Sequence, residues 1–186
     1  SSLKLHLDAS DSSSYGGSGT TWTDLKGGDQ NGTLVNGPNY QSANGGYFEL
    51  DGSNDYVNLP HSLSIGLNNT YEMWLRCPTN TTGDILGSSA TIGSGTTFTH
   101  NWEVDLSGNI TIQTQDNWYT SGHATAAERK TSGLDINNNK WTHLVVSKTN
   151  GSYKIYKNGK EVSYASSPNV TQTTAFVAEA GIVLGS

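Results

Sequence analysis

Two Asn-Gly pairs, at 150–151 and 158–159, divide the stretch KWTHLVVSKTNGSYKIYKNGKEV (140–162) into three runs of alternating apolar and polar residues. Asn-Gly supplies the positive φ angles of a type I′ turn, and a period of two marks a strand with one buried face. The stretch therefore predicts a three-stranded antiparallel meander, with strands at Trp141–Lys148, Ser152–Lys157 and Lys160–Tyr164. Five of the ten Lys and Arg residues fall here, at 140, 148, 154, 157 and 160. They are expected on the solvent face and ends of the meander, where charge discourages edge-to-edge pairing.

The same pattern recurs along the chain. Leu3, Leu5 and Leu7 alternate with Lys4 and His6, predicting an opening strand, and Thr21–Leu25 reads as a second short one. Asn31-Gly32, Asn36-Gly37 and Asn44-Gly45 are each able to turn the chain. Strands are expected at Tyr47–Leu50 and Tyr56–Leu59, on either side of Asp51-Gly52-Ser53-Asn54. In TYEMWLRC (70–77), Tyr71, Met73, Leu75 and Cys77 share one face, opposite Glu72, Trp74 and Arg76. Trp102–Leu106 and Ile110–Gln115 flank Ser107-Gly108-Asn109 as a hairpin. Ala124–Lys130 (ATAAERK) is the one segment predicted as a helix, about two turns long.

Composition sets the class. Only 33% of the 186 residues are hydrophobic, but five Trp and nine Tyr are more aromatic content than a disordered chain carries. Short apolar runs broken by Gly and Asn point to an all-β sandwich or barrel in one domain spanning 1–186. The net charge of −6, without a basic block, argues against a nucleic-acid partner. No run approaches the roughly 18 apolar residues of a membrane span. Cys77 is alone, so neither an intrachain disulfide nor a Cys-rich zinc motif can form. The sequence starts Ser1-Ser2 without Met, as a processed product or a fragment of a longer chain would. Six Asn-x-Ser/Thr sequons stand against on the order of four expected from composition alone.

Among the aromatics, DNWYTSGH (116–123) stands out because it lacks alternation and follows a strand. Sugar sites combine an aromatic face for ring C–H groups with amides and carboxylates for hydroxyls. Asp116, Asn117, Trp118, Tyr119 and His123 supply those groups and are the candidate ligand-binding residues, the alternative being that Trp118 plugs the loop onto the sandwich. Trp22, Trp74 and Trp141 lie in strand patterns and read as core or sheet-face packing, and His143 as a strand residue held by structural hydrogen bonds. No Gly-x-Ser-x-Gly elbow is present, and no catalytic residue is assigned.

The meander also carries a resemblance. WTHLVVSKTNGSYKIYKNGKEV, with Trp141-x-His143 opening one strand and Tyr156-x-Asn158-Gly159 closing the next, resembles the signature hairpins of laminin-G-like domains. These belong to the concanavalin A-like lectin/glucanase superfamily. YFELDGSNDYVNLP (47–60), TYEMWLRCP and DILGS are similar to further segments of that family. The N-terminal LDASDSSSYGGSGTTWTDLKGGDQNGTLVNGPNY is similar to versions in structural proteins of phages and large viruses. The resemblance implies a two-sheet antiparallel jelly-roll sandwich. It also implies a further strand of the Gly-x-Ile-Asp-x-Val-x-Ile type after GIVLGS, for which truncation or a neighbouring chain is the expected explanation.

The function implied is a non-catalytic, lectin-like module on an extracellular or virion-surface protein, engaged in adhesion or decoration. Its expected partner is a glycan. The alternatives are a structural sandwich packing on sister chains, or a degenerate laminarinase-like glycosidase. For the last, Glu103-Val104-Asp105 is similar to the start of that branch's catalytic strand, but Ser107 and Gly108 stand where its third carboxylate belongs. Many sandwiches of the superfamily bind calcium. Asp24, Asp29, Asp51 and Asp55 are candidates by composition, with no ligand set assigned.

Overall fold

A computed structural model describes residues 3–28, 30–60, 64–65, 68–92, 95–105, 107–114, 127–150, 152–165, 176–177 and 182–184. The first strands are β1 (Thr21–Trp22), β2 (Gly32–Val35), β3 (Asn39–Gln41), β4 (Tyr47–Glu49), β5 (Tyr56–Leu59) and β6 (Ser64–Ile65). Longer ones follow: β7 (Asn69–Leu75), β8 (Gly83–Ile92), β9 (Gly95–Val104), β10 (Ile110–Thr114) and β11 (Ala127–Ser132). The meander region gives β12 (Thr142–Thr149), β13 (Ser152–Lys157), β14 (Lys160–Glu161) and β15 (Ser163–Tyr164). β16 (Phe176–Val177) and β17 (Ile182–Leu184) come last. No α-helix occurs among the described residues.

The strands assemble into an antiparallel sandwich. One sheet runs β1-β2-β5-β17-β8-β9-β10-β11-β15, and a second runs β14-β13-β12-β7. β17 lies between β5 and β8 and pairs with both. Because alternate residues face opposite sides, each sheet delivers one apolar row to the interior. Leu34, Val57, Leu59, Leu86, Val104, Ile110 and Ile112 of the larger sheet share a core with Leu144, Val146, Tyr153 and Ile155 of the smaller. Leu134 and Ile136, on the connection before β12, complete it. Fully burying one such aliphatic side chain contributes about 1.5–3 kcal/mol.

The meander forms as its turns require: Asn158 has φ 51° and Gly159 φ 81°. Asn158 also closes back on β12, donating its N–H to the His143 carbonyl at 2.8 Å and accepting the His143 N–H at 2.9 Å. The final strand of the expected meander divides, however. Lys160–Glu161 stays with β13, whereas Ser163–Tyr164 crosses to pair with β11 in the other sheet.

Several other expectations are corrected. The segment expected to be helical is a strand where described, from Ala127 onward, and pairs with Ile110–Thr114 of the hairpin through Thr111–Lys130 and Ile112–Arg129. Buried Thr131 accepts the Ile110 N–H at 2.8 Å, so sheet pairing overrides local helix propensity. Leu3–Leu7 is not a strand. Leu5 and Leu7 do pack on the core, but the segment is held through Asp24, which accepts the His6 N–H at 2.9 Å.

Gly32 opens β2 and makes no turn: it pairs with Trp22, neither Asn31 nor Gly32 has a positive φ, and Asn31 Oδ1 accepts the Asp24 N–H. Lys148, expected on the solvent face, is only 2% exposed. It shares the inward parity of Thr142, Leu144 and Val146, and its Nζ lies 5.4 Å from the Tyr153 ring centroid. Lys157 is half-buried and donates to the Asp135 carbonyl at 2.9 Å.

Candidate functional site

The expected sugar-binding residues, Asp116, Asn117, Trp118, Tyr119 and His123, lie outside the described residues. Of the glycosidase pair, Glu103 sits in β9 opposite Thr111 and Asp84. Asp105 closes the turn to β10: its Oδ1 accepts the Ser107 and Asn109 N–H groups at 2.9 and 3.0 Å, and Lys130 Nζ lies 3.2 Å from Oδ2. Desolvation pushes this carboxyl up, but the donors from Asn109, Lys130 and Ser107 together outweigh it and hold it below the usual carboxylate range. The arrangement is that of a turn-closing carboxylate.

The calcium candidates are similarly engaged. Asp51 Oδ1 accepts the Ser53 and Asn54 N–H groups at 2.8 and 3.2 Å, and those bonds lower its pKa. Asp55 Oδ2 accepts the Asp51 N–H at 3.2 Å, and Asp24 Oδ1 accepts from His6 and Lys26. Asp29 is not among the described residues. No group of three or more His, Cys, Asp or Glu is gathered to hold a metal among those that are.

A different surface has the composition of a binding site. The outer face of the four-stranded sheet displays the residues that alternate with its core row: Thr70, Glu72 and Trp74 of β7, His143, Val145 and Ser147 of β12, and Lys154 and Tyr156 of β13. Trp74, opposite His143 in register, is 65% exposed, the most exposed large apolar side chain among the described residues. The His143 ring lies alongside it, with centroids 5.1 Å apart and planes 31° from parallel. His143 Nε2 is 2.9 Å from Glu72 Oε1. Glu72 is itself well exposed, and its Oε2 has no partner among the described residues.

One row further along, Arg76 lies over the rings of Tyr47 and Trp141, 5.4 and 5.6 Å from their centroids. Its guanidinium pairs with Glu49 at 3.3 Å. Trp141 is also met edge-on by Tyr47 at 5.2 Å. Trp141 is thus covered while Trp74 is open.

This face offers a flat apolar ring beside an imidazole and a carboxylate, the mix that recognises C–H surfaces and hydroxyls together. The reading of Trp22 as a packing residue holds: it meets Phe48 edge-on, with centroids 4.8 Å apart. Trp74 lies on the sheet face, one of the two places that reading allowed, but beside the His143 ring it stands open to solvent. The available signal was its place between Glu72 and Arg76, two residues that mark the solvent side of an alternating strand. His143 does make the expected backbone bonds, and its ring additionally supports the Trp74 platform.

The chain belongs to the concanavalin A-like lectin/glucanase superfamily, whose laminin-G family model matches residues 51–185. No curated protein matches it. Among solved structures, the binding domain of botulinum neurotoxin serotype G is similar in fold, with a TM-score of 0.55 and 15% identity. That match covers 87% of this chain but 43% of the toxin domain, so this chain spans less than half of it. Domain 4 of AbnA, an extracellular arabinanase from Geobacillus stearothermophilus, in complex with arabinotriose, matches at TM-score 0.48 and 17% identity over 87% of this chain and 83% of that one. The Ruminococcus gnavus IT-sialidase CBM40 bound to α2,3-sialyllactose matches at 0.46 and 9% over 69% and 76%.

Proposed function

We propose that this domain is a non-catalytic, lectin-like module that binds a saccharide on the outer face of the four-stranded sheet. The observation that carries the reading is Trp74, 65% exposed, backed by the His143 ring and flanked by the Glu72 carboxylate. A pyranose ring would lay its C–H face on the indole and direct hydroxyls to Glu72 and His143. One open aromatic platform with two or three hydrogen bonds corresponds to a Kd of about 1 mM for a single site. The 116–123 segment, with Trp118 and Tyr119, is proposed as a second contribution to binding. In this reading the module acts outside the cell or at a virion surface, in adhesion or decoration.

Binding to a glycan array, with Trp74→Ala and Trp118→Ala in parallel, tests this. Loss with the Trp74 variant alone supports the sheet-face site, and loss with the Trp118 variant alone moves the site to 116–123. No binding by the folded wild-type protein would leave the sandwich as an assembly module packing on sister chains. Hydrolysis of a bound glycan, abolished by Glu103→Gln, would overturn the non-catalytic reading.

A further inference from the structure

Resting on that reading, we infer that the sheet-face site is selective for uncharged saccharides and rejects those bearing carboxylate or sulfate groups. An acidic sugar needs an available cation, and each basic side chain of this face already has a carboxylate. Arg76 is paired with Glu49 at 3.3 Å and further covered by its two rings. Glu49 is in turn fixed by Gln41 Nε2 at 3.0 Å. Lys154 lies 3.5 Å from Glu161, and His143 lies 2.9 Å from Glu72. The two permanent cations thus stand against three carboxylates, a local excess of negative charge on a chain of net charge −6.

The hydrogen-bond chemistry points the same way. Beside the open indole, Glu72 presents Oε2 with no partner among the described residues. A carboxylate only accepts, so its complement is a donor. Sugar hydroxyls donate, whereas an ionised carboxylate or sulfate offers only acceptors. An acidic group placed here would meet a like charge with no proton between them. For like charges near 4 Å at a well-hydrated surface, the penalty corresponds to about fivefold in affinity, rising as the ligand excludes water and falling with added salt. The site is also small: with Trp141 capped by Arg76, Trp74 is the one fully open ring of this face among the described residues, which matches a single sugar unit.

Matched ligand pairs decide the question: neutral oligosaccharides and the same oligosaccharides bearing sialic acid, uronic acid or sulfate. Binding is measured by titration with ligand-observed NMR against wild type, Trp74→Ala and Glu72→Gln. The expected result is binding of neutral members that Trp74→Ala abolishes, with acidic counterparts about fivefold weaker. Glu72→Gln, which removes the charge and keeps the shape, should narrow that gap. Acidic ligands binding as well as or better than neutral ones, with dependence on Trp74, would overturn the selectivity and leave the saccharide reading standing. Binding of neither class would overturn both, and binding indifferent to Trp74 would overturn the sheet-face site together with its selectivity.

Discussion

Gly108→Ala is expected to destabilise the domain far more than a surface glycine substitution should. Gly108 has φ +70°, a conformation that costs an L-residue roughly 1–2 kcal/mol. A Cβ built there would collide with Asn137 Oδ1, and would stand 2.7 Å from Ile136 N and 2.9 Å from Asn137 N. Those atoms cannot simply yield. Ile136 is fully buried in the core, its N–H donates to the Gly108 carbonyl at 3.2 Å, and the Leu134 N–H donates to Asn109 Oδ1 at 3.2 Å. Displacing the segment strands a buried donor, at about 1–3 kcal/mol, in addition to the backbone strain. The total is about 3–4 kcal/mol, or about 10 °C in Tm for a domain of this size. Gly159→Ala is the control: its φ is +81° and a Cβ there meets nothing within 4 Å, so only the strain of about 1 kcal/mol applies. Thermal and urea unfolding of both variants measure the difference. A Tm loss for Gly108→Ala no larger than for Gly159→Ala would refute the claim that 134–137 is locked to the β9–β10 turn.

Three further outcomes are expected. Ile155→Ala, at a fully buried position, should cost about 3 kcal/mol in urea denaturation, whereas Trp74→Ala should stay within about 0.5 kcal/mol; a large loss for Trp74 would contradict its exposure. The Asp105 carboxyl titrates below its ordinary value near 3.8 when folded, so its contribution is complete above that pH and is lost as pH falls through the folded pKa. The stability difference between wild type and Asp105→Asn should therefore be constant near neutrality and shrink in acid; a difference independent of pH would count against the turn assignment. Burial pushes the Cys77 thiol up, so alkylation at mildly alkaline pH should be slow in the folded protein and fast in denaturant, and equal rates would place Cys77 at the surface.

Much of the strand content was legible because a half-buried strand writes its two faces into alternate residues. TYEMWLRC shows this fully: the predicted inward row of Tyr71, Met73 and Leu75 is the observed one. Asn158-Gly159 likewise encodes its turn locally, through positive φ. The 127–130 segment was not legible, since AERK favours helix by itself and becomes a strand only because β10 offers it a ladder. Nor was the burial of Lys148, where strand parity prevails over charge and Tyr153 receives the ammonium. The candidate site falls between these cases. Parity placed Trp74 on the face of Glu72 and Arg76, but its pairing with His143, 69 residues away, exists only in the assembled sheet.

By itself, the sequence determined the all-β class, the Asn-Gly turns at 36–37, 44–45 and 158–159, the faces of the central strands and the superfamily. Each of these depends on interactions between near neighbours in the chain or on an ordered set of motifs. Tertiary structure alone decided that β15 leaves the meander for the other sheet, that Lys148 is buried, and that Trp141 is capped while Trp74 stays open. Those outcomes depend on which strands lie side by side. Exposure is a property of the finished surface, and a strand's alternation names its two faces without saying what, if anything, will cover each one.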